Sequence, residues 1–186
     1  RSFKEASRLD PGCAMTYWGQ ALSLGPNIND INTKDREKMA FEAISIAKKL
    51  SGAASPRETD FIQALAARYD GKAYDVRDSL NASYREAMAV LAKKYENDPE
   101  ILTLYADAIM NCIPWDYWKR DGSPKPFTLE AKASLESVIK KFPNHPGAHH
   151  LYIHLVEASP NPGQALKSAG FLESAMPKAG HLVHMP

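Results

Sequence analysis

The sequence predicts an all-α chain: a right-handed solenoid of antiparallel helix pairs, with long loops inside several of the pairs. Three observations carry this. Apolar residues recur with a helical period almost everywhere. No stretch sustains the apolar–polar alternation and β-branched enrichment of a strand. Helix-start signals built on proline recur at long, nearly regular intervals.

The helical period is clearest at Tyr84, Ala87, Met88, Leu91, Ala92 and Tyr95, which follow i, i+3, i+4, i+7, i+8, i+11. Met39, Ala40, Ala43, Ile44, Ala47 and Leu50 trace a similar face, as do Leu135, Val138, Ile139 and Phe142. Helix starts are marked chemically. Ser55-Pro56-Arg57-Glu58 reads as a capping box with proline at the first helical position. Asn161-Pro162-Gly163-Gln164 offers a similar arrangement, and Asp98-Pro99-Glu100 supplies a cap and an acidic first turn.

Pro11, Pro56, Pro99, Pro143 and Pro177 each follow an amphipathic segment, spaced 45, 43, 44 and 34 residues apart. Two helices fit in each interval, and repeats of this length mark a solenoid. One hairpin cannot bury its own apolar face, so stacking on neighbours supplies the core. The expected organisation is a single array over residues 1–186. It comprises a partial repeat at 1–10, repeats at about 11–55, 56–98, 99–142 and 143–176, and the start of another at 177–186. Both ends read as cut from a longer array.

Composition narrows the function classes. The 186 residues carry 23 basic and 22 acidic side chains, a net charge of +1, which is no electrostatic footprint for nucleic acid. No apolar run is long enough for membrane insertion. The two cysteines, Cys13 and Cys112, form no CxxC spacing and read as buried free thiols.

Several segments resemble the tetratricopeptide-repeat family. Ala14-Met15-Thr16-Tyr17-Trp18-Gly19-Gln20-Ala21-Leu22 resembles the first helix of such a repeat, with Gly19 allowing close helix approach. Leu102, Tyr105 and Ala106 resemble the same helix in a later unit. Ala6 with Leu9-Asp10-Pro11, and Ala92 with Asp98-Pro99, resemble the ends of second helices. The unit from Pro143 to Pro177 has the family's 34-residue length, whereas three earlier units are about ten residues longer. YWGQALSLGPNIN, IPWDYWKRDGSPKP, HPGAHHLYIHLVEAS and AGHLVHMP together resemble a bacterial group within that family, one without an assigned activity. The resemblance implies a bacterial protein of cytoplasm or periplasm, any signal peptide lying before Arg1. It also implies first helices side by side along a concave groove.

The extra length falls between the helices of a pair: at Gly25–Asp30, at Tyr69–Lys72, and at Pro114–Pro126. Two of the three tryptophans, Trp115 and Trp118, sit in the third insertion. They read either as interface anchors or as rings folded back to plug the loop.

All six histidines lie in the last 42 residues. With a helix starting at Pro146, His150 and His154 are i and i+4 on one face, and Glu157 continues that stripe. His149 points about 100° away. His181 and His184 belong to the next first helix, so His150 and His181 are expected to meet across one helix–helix contact. Histidines with a carboxylate are ordinary transition-metal ligands, making His150, His154, Glu157, His181 and His184 a candidate site for zinc or copper. The alternative is structural, each imidazole donating through one nitrogen and accepting through the other.

No HExxH, G-x-S-x-G or phosphate-binding G-x-x-x-x-G-K-[ST] motif occurs. The leading expectation is therefore a non-enzymatic scaffold, with no cofactor, capturing a protein or peptide in the groove. Tyr17, Asn111, Trp115, Trp118, His150 and His154 are the candidate contacts. The second expectation is a metal-binding or metal-dependent site on the same scaffold.

Overall fold

The computed structural model describes residues 2–30, 32–71 and 77–185. Arg1, Pro186 and Lys72, the last residue of the second insertion, lie outside the described residues. Among those described, every regular element is a helix, and β pairing is confined to two isolated bridges, Asn27–Asp30 and Trp118–Pro124. Both bridges fall inside loops that the sequence marks as insertions. No described helix is long and apolar enough to cross a membrane. The chain forms two compact units, Arg1–Lys93 and Lys94–Pro186.

In the first unit, α1 (Ser2–Leu9) packs on α2 (Ala14–Leu24), α2 on α3 (Lys34–Leu50), and α3 on α4 (Pro56–Ala66). α5 (Arg77–Lys94) follows. Gly19 lies against the ring of Phe3, so that any side chain there would displace it. The Ser55–Glu58 capping box is present in both directions: Ser55 Oγ accepts from Glu58 N, and a Glu58 carboxylate oxygen accepts from Ser55 N at 2.9 Å. On α5 the buried positions are Asn81, Tyr84, Met88 and Leu91, while Ala87, Ala92 and Tyr95 of the expected stripe are half-buried.

On α3 the buried stripe differs from expectation. Met39 is exposed, and Glu37 joins Ala40, Ala43, Ile44 and Ala47 in the interior. The reason is a polar network. Glu37 Oε2 accepts from Asn32 Nδ2 at 2.8 Å and from Arg77 Nη1 at 2.6 Å. Arg77 also donates to the carbonyl of Arg68. Arg68, 1% exposed, donates to Asn81 Oδ1 (3.3 Å) and to the carbonyl of Pro26 (2.9 Å), and stacks over Tyr84. Arg36 ties the same first insertion down through Asp30 and the carbonyls of Leu24 and Gly25. Burial raises the Glu37 carboxyl above its ordinary value, against the opposing pull of Arg77, Asn32 and Arg68.

In the second unit, α6 (Pro99–Met110) packs on α7 (Thr128–Lys141), and α8 (Pro146–Val156) packs on both. α9 (Leu166–Ala175) covers α8, and α10 (Gly180–His184) contacts α9. α6 and α8 are buried over most of their surface, as helices covered from several sides must be. Asp98 caps α6 by accepting from Glu100 N and Ile101 N.

Three expectations are corrected. Phe142 is exposed, because it sits at the C-cap of α7 with φ −131°, where the helical period no longer governs side-chain direction. Asn161 makes no side-chain cap; residues 162–165 form a 3-10 turn, and Gln164 Nε2 donates to the Asn161 carbonyl instead. Cys13 and Cys112 are free thiols but only half-buried, since each borders a helix end.

The third insertion is packed as its own small unit. Tyr117 is buried, and its carbonyl accepts from Thr128 Oγ1 (2.8 Å) and Lys125 N (2.9 Å). Trp118 Nε1 donates to the carbonyl of Leu155 at 2.7 Å, fastening the loop to α8. Trp115 is left half in solvent, with φ 62°.

Candidate metal centre

α8 owes its position to its start. Pro146 occupies the first helical turn, and His145 caps the helix by accepting from Ala148 N through Nδ1 at 3.0 Å. Nε2 of His145 lies 3.2 Å from Glu100 Oε1. Histidine is not among the preferred capping residues, so this role was not visible in the sequence.

The three histidines within α8 divide by the face they occupy. His149 turns inward: Ser168 Oγ lies 2.8 Å from Nδ1, the Pro143 carbonyl accepts from Nε2 at 2.9 Å, and the ring lies tilted against Phe171 with centroids 4.3 Å apart. It is a packing group that joins α8 to α9. His150 and His154, one turn apart, share the other face.

There the rings converge. His150 Nε2 lies 3.1 Å from His154 Nε2 and 2.9 Å from His181 Nε2. His181 comes from α10, so the expected meeting of His150 with His181 across 31 residues is present. One ligating nitrogen from each of the three lies within 4.8 Å of the others, the single such group of three among the described residues. His154 is buried, His150 half-buried and His181 exposed.

Glu157 and His184 stand differently. Glu157 Oε1 lies 3.3 Å from His154 Nδ1, on the ring nitrogen that points away from the cluster. The His184 ring centroid is 6.4 Å from that of His181, against 4.7, 4.8 and 5.8 Å within the triad. Trp115 meets the His154 ring edge-on at 4.9 Å. The sequence marked Trp115 for its residue type but gave no sign that it would lie against a histidine.

Burial, with the neighbouring His154 and His181 adding to it, pushes the His150 imidazole down to about 4. Burial also lowers His154, partly opposed by Glu157. Both rings are therefore neutral at neutral pH, the form whose lone pair binds a cation.

The remaining candidates are engaged elsewhere. Asn111 is buried at the end of α6 and donates to the Asp107 carbonyl at 2.8 Å. Tyr17 Oη donates to the Pro11 carbonyl at 3.4 Å. Trp118 is held on Leu155 as described above.

No family model, curated protein or solved structure matches this chain.

Proposed function

We propose that this protein binds one divalent transition-metal ion through Nε2 of His150, His154 and His181. The observation that carries the reading is the pair of short contacts at His150. Its Nε2 stands within hydrogen-bond distance of two other Nε2 atoms. A ring nitrogen carries either one N–H or one in-plane lone pair, so it makes one good hydrogen bond, not two. A cation between the three lone pairs satisfies all of them at once. Metal–nitrogen bonds of about 2.0–2.1 Å at tetrahedral angles put ligand nitrogens roughly 3.3–3.4 Å apart. Two of the three contacts are already within a few tenths of an ångström of that, and the exposed His181 is the ring best able to adjust.

Glu157 completes the arrangement from behind. Accepting from His154 Nδ1–H, it fixes the tautomer that leaves Nε2 free, the relation found between carboxylates and metal-bound histidines. An imidazole-only donor set suits zinc, copper, nickel or cobalt over calcium or magnesium.

The test is an equilibrium titration of untagged, chelator-stripped protein with zinc, read by competition with a chromophoric chelator. One equivalent is expected to bind. Glu157→Gln is expected to keep that stoichiometry and weaken affinity by about 10- to 100-fold, the usual cost of losing an outer-shell partner. Absence of stoichiometric zinc, cobalt or copper uptake by the unaltered protein would end this reading.

The repeat architecture is proposed alongside it. Chain-neighbour packing of α6, α7, α8 and α9 is what stacked helical hairpins require. Peptide capture in a groove has less support, because Tyr17, Asn111 and Trp118 are each hydrogen-bonded within the chain.

A further inference from the structure

We infer that the metal held at His150, His154 and His181 keeps one coordination position for a small exogenous donor: water, exchangeable for a monodentate anion. This rests on the metal-binding reading above and adds what the bound ion does.

The described residues supply three nitrogens. Closed structural zinc sites use four protein ligands, whereas sites that bind or activate a small molecule use three and leave the fourth to water or substrate. Among the described residues the cluster of ligating atoms contains three histidines and no fourth member. The two nearest reserves are each placed against joining. Glu157 is engaged at Nδ1 of His154. The two nitrogens of an imidazole point in divergent directions, so a carboxylate at Nδ1 cannot also reach a metal at Nε2. His184 holds its ring 6.4 Å from that of His181, outside the spacing of the triad.

The surroundings fit an exchangeable position. Exposure rises from buried His154 through His150 to exposed His181, so the cluster has one edge in solvent. The half-exposed indole of Trp115 stands edge-on to His154. A cation held by three neutral imidazoles keeps its full positive charge, which draws an anion to the open position and acidifies a bound water. The ligand class is therefore a small monodentate anion or water, with no bulky organic group required.

Cobalt(II) makes the position visible, because its d–d absorption reports coordination number and ligand set. Stripped protein loaded with one equivalent of cobalt is titrated with sodium azide, followed by visible absorption, for the unaltered chain and for His184→Ala. The expected result is a saturable one-to-one azide spectrum, the same in both proteins. Stoichiometric cobalt with a spectrum indifferent to azide would overturn the inference while leaving the metal site standing. An azide response that appears only in His184→Ala would also overturn it, by showing that His184 fills the fourth position. No cobalt uptake at all would remove the metal site and this inference with it.

Discussion

Replacing His150 with alanine is expected to abolish stoichiometric zinc binding, with affinity falling by at least about 100-fold, beyond the usual effect of an outer-shell change. His150 is the central member: its Nε2 makes both short contacts, and the other two histidines come from different places in the chain. His154 shares its helix, but His181 belongs to α10, a five-residue helix with no buried residue of its own. A metal bound there would fasten α10 to α8, where packing does little. Zinc at about 100 times its dissociation constant is expected to stabilise the unaltered protein by about 2.7 kcal/mol, and this gain vanishes in His150→Ala. Thermal unfolding with and without zinc measures it. His184→Ala serves as the control and is expected to keep both the binding and the gain. A full thermal response to zinc in His150→Ala would contradict the assignment.

The second large effect is expected in the first unit. Arg77→Ala removes the cation that bonds the buried Glu37 at 2.6 Å, leaving a carboxylate with Asn32 as its remaining direct partner. Stranding one member of a buried pair costs about 3–5 kcal/mol, and the partial exposure of Arg77 places this case near the lower end. The loss is read from the urea midpoint. Its pH dependence has a definite sign. Burial already raises the Glu37 carboxyl, and losing Arg77 raises it further. The folded state then holds a proton that the unfolded chain has released. Stability falls as pH rises from the ordinary carboxylate value toward the raised one, so the deficit is smaller in acid and full above it. A Glu37→Met, Arg77→Met double variant is expected to recover most of the loss, since neither charge is left unpaired.

The two sites differ in how far the sequence revealed them. The histidine pair on α8 followed from i, i+4 spacing, and its meeting with His181 was expected from the resemblance to a helical repeat. The first is a property of helix geometry, which a sequence carries directly. Which ring nitrogen Glu157 engages was not legible, because that depends on side-chain rotamers, not on spacing. The Glu37 network was hidden for a different reason. A lone glutamate within an apolar stripe reads as a surface residue until its cation is found, and Arg77 lies 40 residues away. Helix starts at Ser55 and Asp98 were legible because their caps are local chemistry. At Pro146 the start was legible but the cap was not, since the His145 imidazole caps only when its ring is turned onto the Ala148 amide. The tryptophans of the third insertion divided, with Trp118 anchored to Leu155 and Trp115 left beside His154, because loop packing is settled by tertiary contacts.

The ligand set itself can be counted. X-ray absorption at the zinc edge, on protein loaded with one equivalent, is expected to show three imidazole rings with nitrogen at about 2.0–2.1 Å, together with one light non-imidazole donor. A first shell containing one imidazole or none, or one dominated by sulfur or carboxylate oxygen, would contradict the account.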